Sequence, residues 1–215
     1  MRANENLMIV DDQVVLVPYR EEHVAKYHEW MSDPTLQELT ASEPLTLEEE
    51  YEMQKKWQQD DDKLTFIICA RTNDHPIDDY KVTSPSLTMI GDVNLFLKGE
   101  STDPEFEVEV EIMIAESAYR RKGLALTALQ VMLSYATCPA PPFVSAATHA
   151  PLPVPRERLV VRIGDKNEPS VRLFEKLGFT ITKRVEVFEE IEMRYNCGSQ
   201  KEQWSGWRLV VAEDS

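Results

Sequence analysis

A short basic segment at residues 120–125 has the residue types of an anion-binding site. Its members, which precede a run of helical periodicity, are Arg120, Arg121, Lys122, Gly123, Leu124 and Ala125. The first backbone N–H groups of a helix have no partners within the helix, and the helix dipole adds positive charge there. Gly123 and the small Ala125 let a ligand approach the backbone closely. The segment therefore predicts a site for a diphosphate, with a solvated basic patch as the alternative.

A row of acidic residues precedes this segment. Apolar and polar side chains alternate over residues 108–114, which predicts a strand whose one face carries Glu107, Glu109, Glu111 and Met113. Repulsion among three crowded carboxylates raises the pKa of at least one of them, which brings it toward the range of a general base. Alternating charge also describes a solvated strand face, so both interpretations stay open. Glu109 is the first candidate for a base, and Glu111 is the second.

The elements around these two features form an α/β pattern. We predict, in chain order, a strand, two helices, three strands, a helix, a strand, a helix and two strands. This order predicts one domain over residues 1–215, with a mixed, largely antiparallel sheet flanked by helices. In detail, the first strand begins at Val14, Asp33 and Pro34 end the first helix, and residues 179–192 form one strand.

Residues 138–158 stand apart because they hold six of the thirteen prolines. Each proline fixes φ and removes a hydrogen-bond donor, so regular structure is excluded. We expect an inserted, exposed loop that the core does not need.

Composition excludes several classes of protein. The chain has 215 residues with 23 basic and 38 acidic side chains, a net charge of −15, so we expect neither nucleic-acid binding nor docking on anionic membranes. No apolar stretch approaches the ~20 residues of a membrane span, and the N-terminus lacks the apolar core of a signal peptide. Cys69, Cys138 and Cys197 form neither a disulfide framework nor a zinc spacing, which favours the cytoplasm. The four histidines are scattered, and we expect no metal site.

Two segments resemble the GNAT family of acetyltransferases. Residues 120–125 have the pattern R-x-x-G-x-A of the family's coenzyme A pyrophosphate loop, and residues 167–179 resemble its segment of an asparagine and a helix that ends in Leu-Gly-Phe. Residues 27–31, 39–48, 91–96 and 110–116 resemble the eukaryotic N-acetyltransferase-nine-like branch. The resemblance covers nearly the whole chain and implies the GNAT fold, although the proline-rich segment is longer than expected there.

The resemblance implies an enzyme that transfers the acetyl group of acetyl-CoA to an amine by direct attack. Acetyl-CoA would lie where strand 108–114 parts from strand 159–163, with backbone groups of Met113 and Ile114 holding the pantetheine arm. Residues 120–125 would bind the diphosphate, and Asn167, Ser170 and Phe174 would add contacts. Many family members carry a tyrosine near this last position, which protonates the leaving thiolate. Phe174 has no hydroxyl, so another group or water must supply that proton.

The acceptor amine needs a base, because an ammonium group has no lone pair; Glu109 or Glu111 would fill this role. We expect a protein amine as acceptor, and an N-terminal α-amine ahead of lysine, since its pKa is about 8 against about 10.4. Residues 103–111 contain five acidic residues and no basic residue, which predicts a negative electrostatic field where the acceptor amine enters. The alternative function is a non-catalytic CoA-binding or protein-interaction module on the same scaffold.

Overall fold

The computed structural model describes residues 4–71, 87–138, 152–196 and 208–211. Within them, nine strands form one sheet in the order β7-β8-β6-β5-β4-β3-β2-β1-β9. The strands are β1 Leu7–Val10, β2 Val14–Pro18, β3 Lys63–Ala70, β4 Thr88–Lys98, β5 Glu107–Ile114, β6 Leu159–Gly164, β7 Phe179–Val185, β8 Glu190–Tyr195 and β9 Arg208–Val211. The α-helices are α1 Glu21–Met31, α2 Pro34–Thr40, α3 Leu47–Gln59, α4 Leu124–Thr137 and α5 Glu168–Lys176.

The predicted α/β class and the mixed, largely antiparallel sheet are confirmed. Only β5 and β6 run parallel among the paired strands of the described chain. Helices α1 and α3 cover one face of the sheet, where Tyr27 and Trp30 pack on Val17 and Ile67. Helices α4 and α5 cover the other face, around Phe66, whose ring meets the ring of Tyr135 edge-on. Burial of such apolar side chains on both faces stabilises the sheet.

The structure departs from the predicted elements at three places. Strand β1 precedes the predicted first strand; its four apolar residues lack the alternation that marks a strand. Asp33 and Pro34 do more than end α1, because the Asp33 side chain accepts a hydrogen bond from the Thr35 N–H over 2.8 Å and so begins α2. A proline fits in a first helical turn, where its missing N–H is not needed. Residues 179–192 form a hairpin, in which a helical turn at Glu186–Phe188 joins β7 to β8.

Most of the proline-rich segment lies outside the described residues, but its C-terminal end belongs to the core. Val154 is only 3% exposed, and its N–H donates to the carbonyl of Ala136 over 2.9 Å. The guanidinium of Arg158 donates to the carbonyl of Pro104 over 2.6 Å. The expectation that the core does not need residues 138–158 is therefore wrong for this end of the segment.

Candidate active site

The sheet opens between β5 and β6. Their parallel pairing joins only Val108 to Leu159 and Glu109 to Val160. Beyond these residues β6 stays paired with β8, while β5 stays paired with β4 as far as Ile114. The edge of β5 that faces β6 is therefore unpaired within the described chain, and its backbone groups can hold an extended ligand as an added strand would be held. We call this opening the β5/β6 wedge.

Close contact between β4 and β5 shapes the end of the wedge. Gly91 on β4 lies opposite Ile114, and a Cβ at position 91 would overlap the carbonyl group of Met113. Only glycine fits at this position. The pairing of β3 with β4 shifts between Ile68 and Cys69, which is the mark of a bulge. The irregularity at this glycine is local, because β4 continues through it as one strand.

The N-terminus of α4 is open. Gly123 precedes the helix with a φ of 86°, a left-handed conformation that glycine adopts at little cost. Its carbonyl accepts the first helical hydrogen bond, from the Thr127 N–H over 3.1 Å. The N–H groups of Leu124 and Ala125 precede that bond and lack partners within the helix. Apart from its two chain neighbours, no described residue has a heavy atom within 4 Å of a Cβ built at position 123, so the space in front of the helix admits a ligand.

Arg120 has a different role from the one expected. Its Nε donates to the carbonyl of Ile114 over 2.8 Å, and its Nη2 donates to the carbonyl of Ala115 over 3.0 Å. The side chain therefore secures the end of β5 rather than turning toward the helix N-terminus. Arg121 and Lys122 are exposed and remain as the cations beside the open helix. A site with two cations and unpaired N–H groups suits a diphosphate.

The predicted contacts on α5 lie at its start and in the core. The Asn167 side-chain oxygen accepts a hydrogen bond from the Ser170 N–H over 3.2 Å, so these two residues cap the helix. Phe174 is 2% exposed and packs edge-on against Phe179, with 5.2 Å between the ring centroids. The ring of Phe174 is a core group, and we leave it out of the proposed cofactor site.

Cations from three other strands neutralise part of the acidic row. Glu107 lies 2.6 Å from Arg162 and 2.9 Å from Arg194, and Glu109 lies 3.2 Å from Arg162 and pairs with Lys98. Burial pushes the pKa of Glu107 upward, but the hydrogen bonds from the two arginines outweigh it and hold that pKa below its usual value. The row is therefore not the unpaired acidic face that the sequence predicted. Two of its three members are ion-paired carboxylates.

Glu111 is the exception in this row. Within the described residues its carboxylate has no ion pair or hydrogen bond. Burial raises the pKa of Glu111 to about 7, the charges of Glu109 and Asp92 act in the same direction, and the charge of Lys98 acts against them. By accessible surface, however, Glu111 is an exposed residue. Water that reaches its side chain limits the desolvation, whereas the repulsion between carboxylates remains. Such a group can accept a proton near neutral pH.

A buried polar group beside Glu111 was not predicted from the sequence. Asp92 is 2% exposed and accepts hydrogen bonds from Asn94 over 2.7 Å and from the Tyr27 hydroxyl over 3.4 Å. Burial raises the pKa of Asp92 to about 6, although these hydrogen bonds lower it. Asn94 lies directly opposite Glu111 in the pairing of β4 with β5. Alternation at residues 92–95 was the available signal, but only the register aligns this group with Glu111.

The described part of the chain shows neither a metal-binding cluster nor a helix suited to span a membrane. Its histidine, cysteine and acidic residues form no group of three or more that could hold a metal ion. None of the helices in that part combines the length and the apolar character that crossing a membrane requires.

Comparison with known proteins gives the same family by sequence. The family described as acetyltransferase (GNAT) domain matches residues 13–180. A human protein named alpha/beta-tubulin-N-acetyltransferase 9 is 43% identical over 209 residues, which cover 95% of this chain and 90% of that protein. An N-acetyltransferase 9-like protein of Schizosaccharomyces pombe is 39% identical over 220 residues, which cover 90% of this chain and 97% of that protein. The predicted likeness to the N-acetyltransferase-nine-like branch is confirmed.

Solved structures share the fold. The spermidine N-acetyltransferase of Vibrio cholerae, in complex with CoA and spermine, aligns over 97% of both chains with a TM-score of 0.60 and 16% identity. A GNAT-family acetyltransferase of Bacillus anthracis aligns over 96% of this chain and 99% of its own, with a TM-score of 0.59 and 14% identity. Together with the sequence match over residues 13–180, this likeness shows that the chain belongs to the GNAT family and is an acetyl-CoA-dependent N-acetyltransferase.

Proposed function

We propose that this enzyme acetylates the N-terminal α-amine of a protein, with tubulin as the first candidate. The observation that carries the proposal is Glu111, the one member of the acidic row without an ion pair among the described residues, beside the β5/β6 wedge. Relatives from human, mouse and fruit fly are named alpha/beta-tubulin-N-acetyltransferase 9. An α-amine, with a pKa of about 8, is deprotonated far more readily than lysine, with a pKa of about 10.4.

Acetyl-CoA is proposed to bind across the wedge and the start of α4. The diphosphate would meet the N–H groups of Leu124 and Ala125, with Arg121 and Lys122 as counter-charges and Gly123 leaving the space. The pantetheine arm would run along the unpaired edge of β5, at the backbone of Met113 and Ile114. Asn167 and Ser170, at the start of α5, would contact the cofactor from the β6 side. Arg120 supports this site by holding the end of β5.

Glu111 is the proposed base, which reverses the order that the sequence suggested. The amine nitrogen attacks the thioester carbonyl carbon, the C–N bond forms, and the C–S bond breaks with its electron pair leaving on sulfur. The proton of the amine passes to Glu111. A base with a pKa of about 7 matches an α-amine near 8. Glu109 is instead engaged in ion pairs with Lys98 and Arg162, whereas Glu111 has no such partner among the described residues.

Thiol release is the direct test of this proposal. Purified enzyme is incubated with acetyl-CoA and either tubulin or matched peptides whose N-terminus is free or blocked, and the modified residue is located by mass spectrometry. We expect turnover of the free amine alone. Glu111→Gln should lower kcat/KM by at least about 100-fold at pH 7 without changing the Kd for acetyl-CoA. Glu105→Gln, at an exposed acid outside the row, is the matched control.

Two results would contradict the proposal in different ways. Equal turnover of N-terminally blocked, lysine-containing peptides would make lysine the acceptor. Binding of acetyl-CoA without thiol release from any amine would favour the alternative, a non-catalytic module on the GNAT scaffold.

A cytoplasmic site of action is also proposed. Cys69 and Cys138 are free thiols, and the three cysteines of the chain are far apart, which suits a reducing compartment. Tubulin as acceptor would require the same location.

A further inference from the structure

Arg162 links three strands at the point where the sheet opens. It lies on β6, two residues beyond Val160, the last residue of β6 that pairs with β5. Its guanidinium lies 2.6 Å from Glu107 and 3.2 Å from Glu109, both on β5. It also lies 3.4 Å from Glu192 on β8. One side chain therefore spans the β5/β6 wedge on the face that carries Glu111.

We propose that Arg162 is a positioning residue for acetyl transfer, which fixes the width of the wedge and keeps Glu109 neutralised beside Glu111. The proposal rests on the proposed roles of the wedge and of Glu111. It assigns no contact between Arg162 and the reacting atoms, because its nitrogens are directed at carboxylates of the sheet.

The geometry calls for arginine rather than lysine. A planar guanidinium can meet several carboxylates at once, whereas an ammonium acts as one point charge. Arg162 is 28% exposed and Glu107 is 16% exposed, so water screens their pairing only in part. The Nη1 atom of Arg162 is buried and makes no aligned hydrogen bond within the described chain. Its attraction to Glu109 is therefore mainly one of charge.

The charges around Arg162 balance. The ionisable groups that face Glu109 and Glu111 are Asp92 and Lys98 on β4, Glu107 on β5, Arg162 on β6 and, behind Arg162, Glu192 and Arg194 on β8. Within the ion-paired set, three cations, Lys98, Arg162 and Arg194, meet three carboxylates, Glu107, Glu109 and Glu192; Asp92 and Glu111 lie outside this set. Removing the arginine charge leaves a net negative charge beside Glu111, and removing the Glu109 charge leaves a net positive one. The two changes should shift the protonation of Glu111 in opposite directions.

Two substitutions of Arg162 separate its charge from its shape. Arg162→Gln loses both, and Arg162→Lys keeps the charge but loses the fork that bridges the strands. The matched control is Arg184→Gln, at an exposed arginine on the edge strand β7. The Kd for acetyl-CoA is measured by calorimetry. The pH profile of kcat/KM is measured with the peptide that the wild type acetylates fastest.

We expect Arg162→Gln to bind acetyl-CoA at least about fivefold more weakly, and to shift the acidic limb of the profile upward by about one pH unit, a tenfold loss of rate at low pH. Arg162→Lys should weaken binding but leave the limb in place. Adding Glu109→Gln to Arg162→Gln should return the limb to its wild-type position, since the charges balance again. Arg184→Gln should change neither quantity.

An unchanged Kd or an unchanged limb in Arg162→Gln would overturn the proposal. If that variant does not fold, Arg162→Lys must still weaken acetyl-CoA binding and Glu109→Gln alone must still move the limb to lower pH; the absence of either shift overturns it. A wild-type enzyme that neither binds acetyl-CoA nor releases thiol contradicts the proposed function instead, before any variant is compared.

Discussion

Gly123→Asp should separate acetyl-CoA binding from stability. Aspartate in the left-handed conformation that Gly123 adopts, with a φ of 86°, costs about 1 kcal/mol. Beyond the two chain neighbours, no described residue has a heavy atom within 4 Å of the new Cβ, so no clash adds to this cost. The melting temperature should therefore stay within about 4 °C of the wild type.

Binding should respond much more strongly than stability. A carboxylate about 5 Å from a phosphate charge costs about 3 kcal/mol at an effective dielectric constant of about 20. Water at this exposed position reduces that value, so we expect at least about a tenfold loss of affinity, which is about 1.4 kcal/mol. Isothermal calorimetry with acetyl-CoA measures the Kd directly, and a thermal melt of the same sample reports the stability.

Gly123→Asn is the matched control for the charge. Asparagine has nearly the same size and tolerates the same backbone conformation, so the aspartate variant should bind more weakly than the asparagine variant. That difference should shrink as salt rises, since the groups are exposed and screened. Equal losses in both variants would refute the argument from charge. A wild-type Kd in both would mean that the diphosphate binds elsewhere.

Three further predictions concern pH and packing. With an α-amine acceptor, kcat/KM should rise with pH through about 7, because Glu111 acts as a base only when deprotonated. Glu111→Gln should lose this rise near pH 7 and keep only the rise near pH 8 that comes from deprotonation of the amine itself. Glu109→Gln should stay active. Val154→Ala should lower the free energy of unfolding by about 2 kcal/mol in urea titrations, because Val154 is buried. Replacing residues 140–151 by a short Gly/Ser linker should lower the free energy of unfolding by less than this. A larger loss in the linker variant would mean that those residues also pack on the core. Burial raises the pKa of Asp92 to about 6, so the folded state binds this proton more tightly than the unfolded chain. The stability of the wild type, relative to Asp92→Asn, should therefore fall as the pH rises from about 4 to about 6. Parallel stability curves for the two proteins over this range would contradict this cause.

The local features of the site could be predicted from the sequence. Alternation at residues 108–114 placed Glu107, Glu109 and Glu111 on one face of β5, because successive side chains of a strand point to opposite faces. The glycine at position 123 and the helical periodicity after it predicted an open helix N-terminus, and Gly123 does precede α4 in the left-handed conformation. Both inferences depend only on residues that are neighbours in the chain.

Neither the order of the bases nor the charge of the row could be predicted in this way. Residues 103–111 contain no lysine, arginine or histidine, yet Glu107 pairs with Arg162 and Arg194, which are 55 and 87 residues away in the chain. The pairing of β5 with β4 and β6, and of β6 with β8, brings these cations to the acidic face. A charge pattern read along one strand counts only the charges on that strand.

The sequence by itself determined the family, the acidic row and the strand and helix that carry the site, because each of these follows from the spacing of residues that are close in the chain. The tertiary structure decided which carboxylate of the acidic row has no ion pair among the described residues, that Arg120 holds the end of β5 and that Val154 belongs to the core. A side chain's partners depend on sheet register and on strands far apart in sequence. The protonation of Glu111 is set by those partners, and so it follows from the assembled sheet.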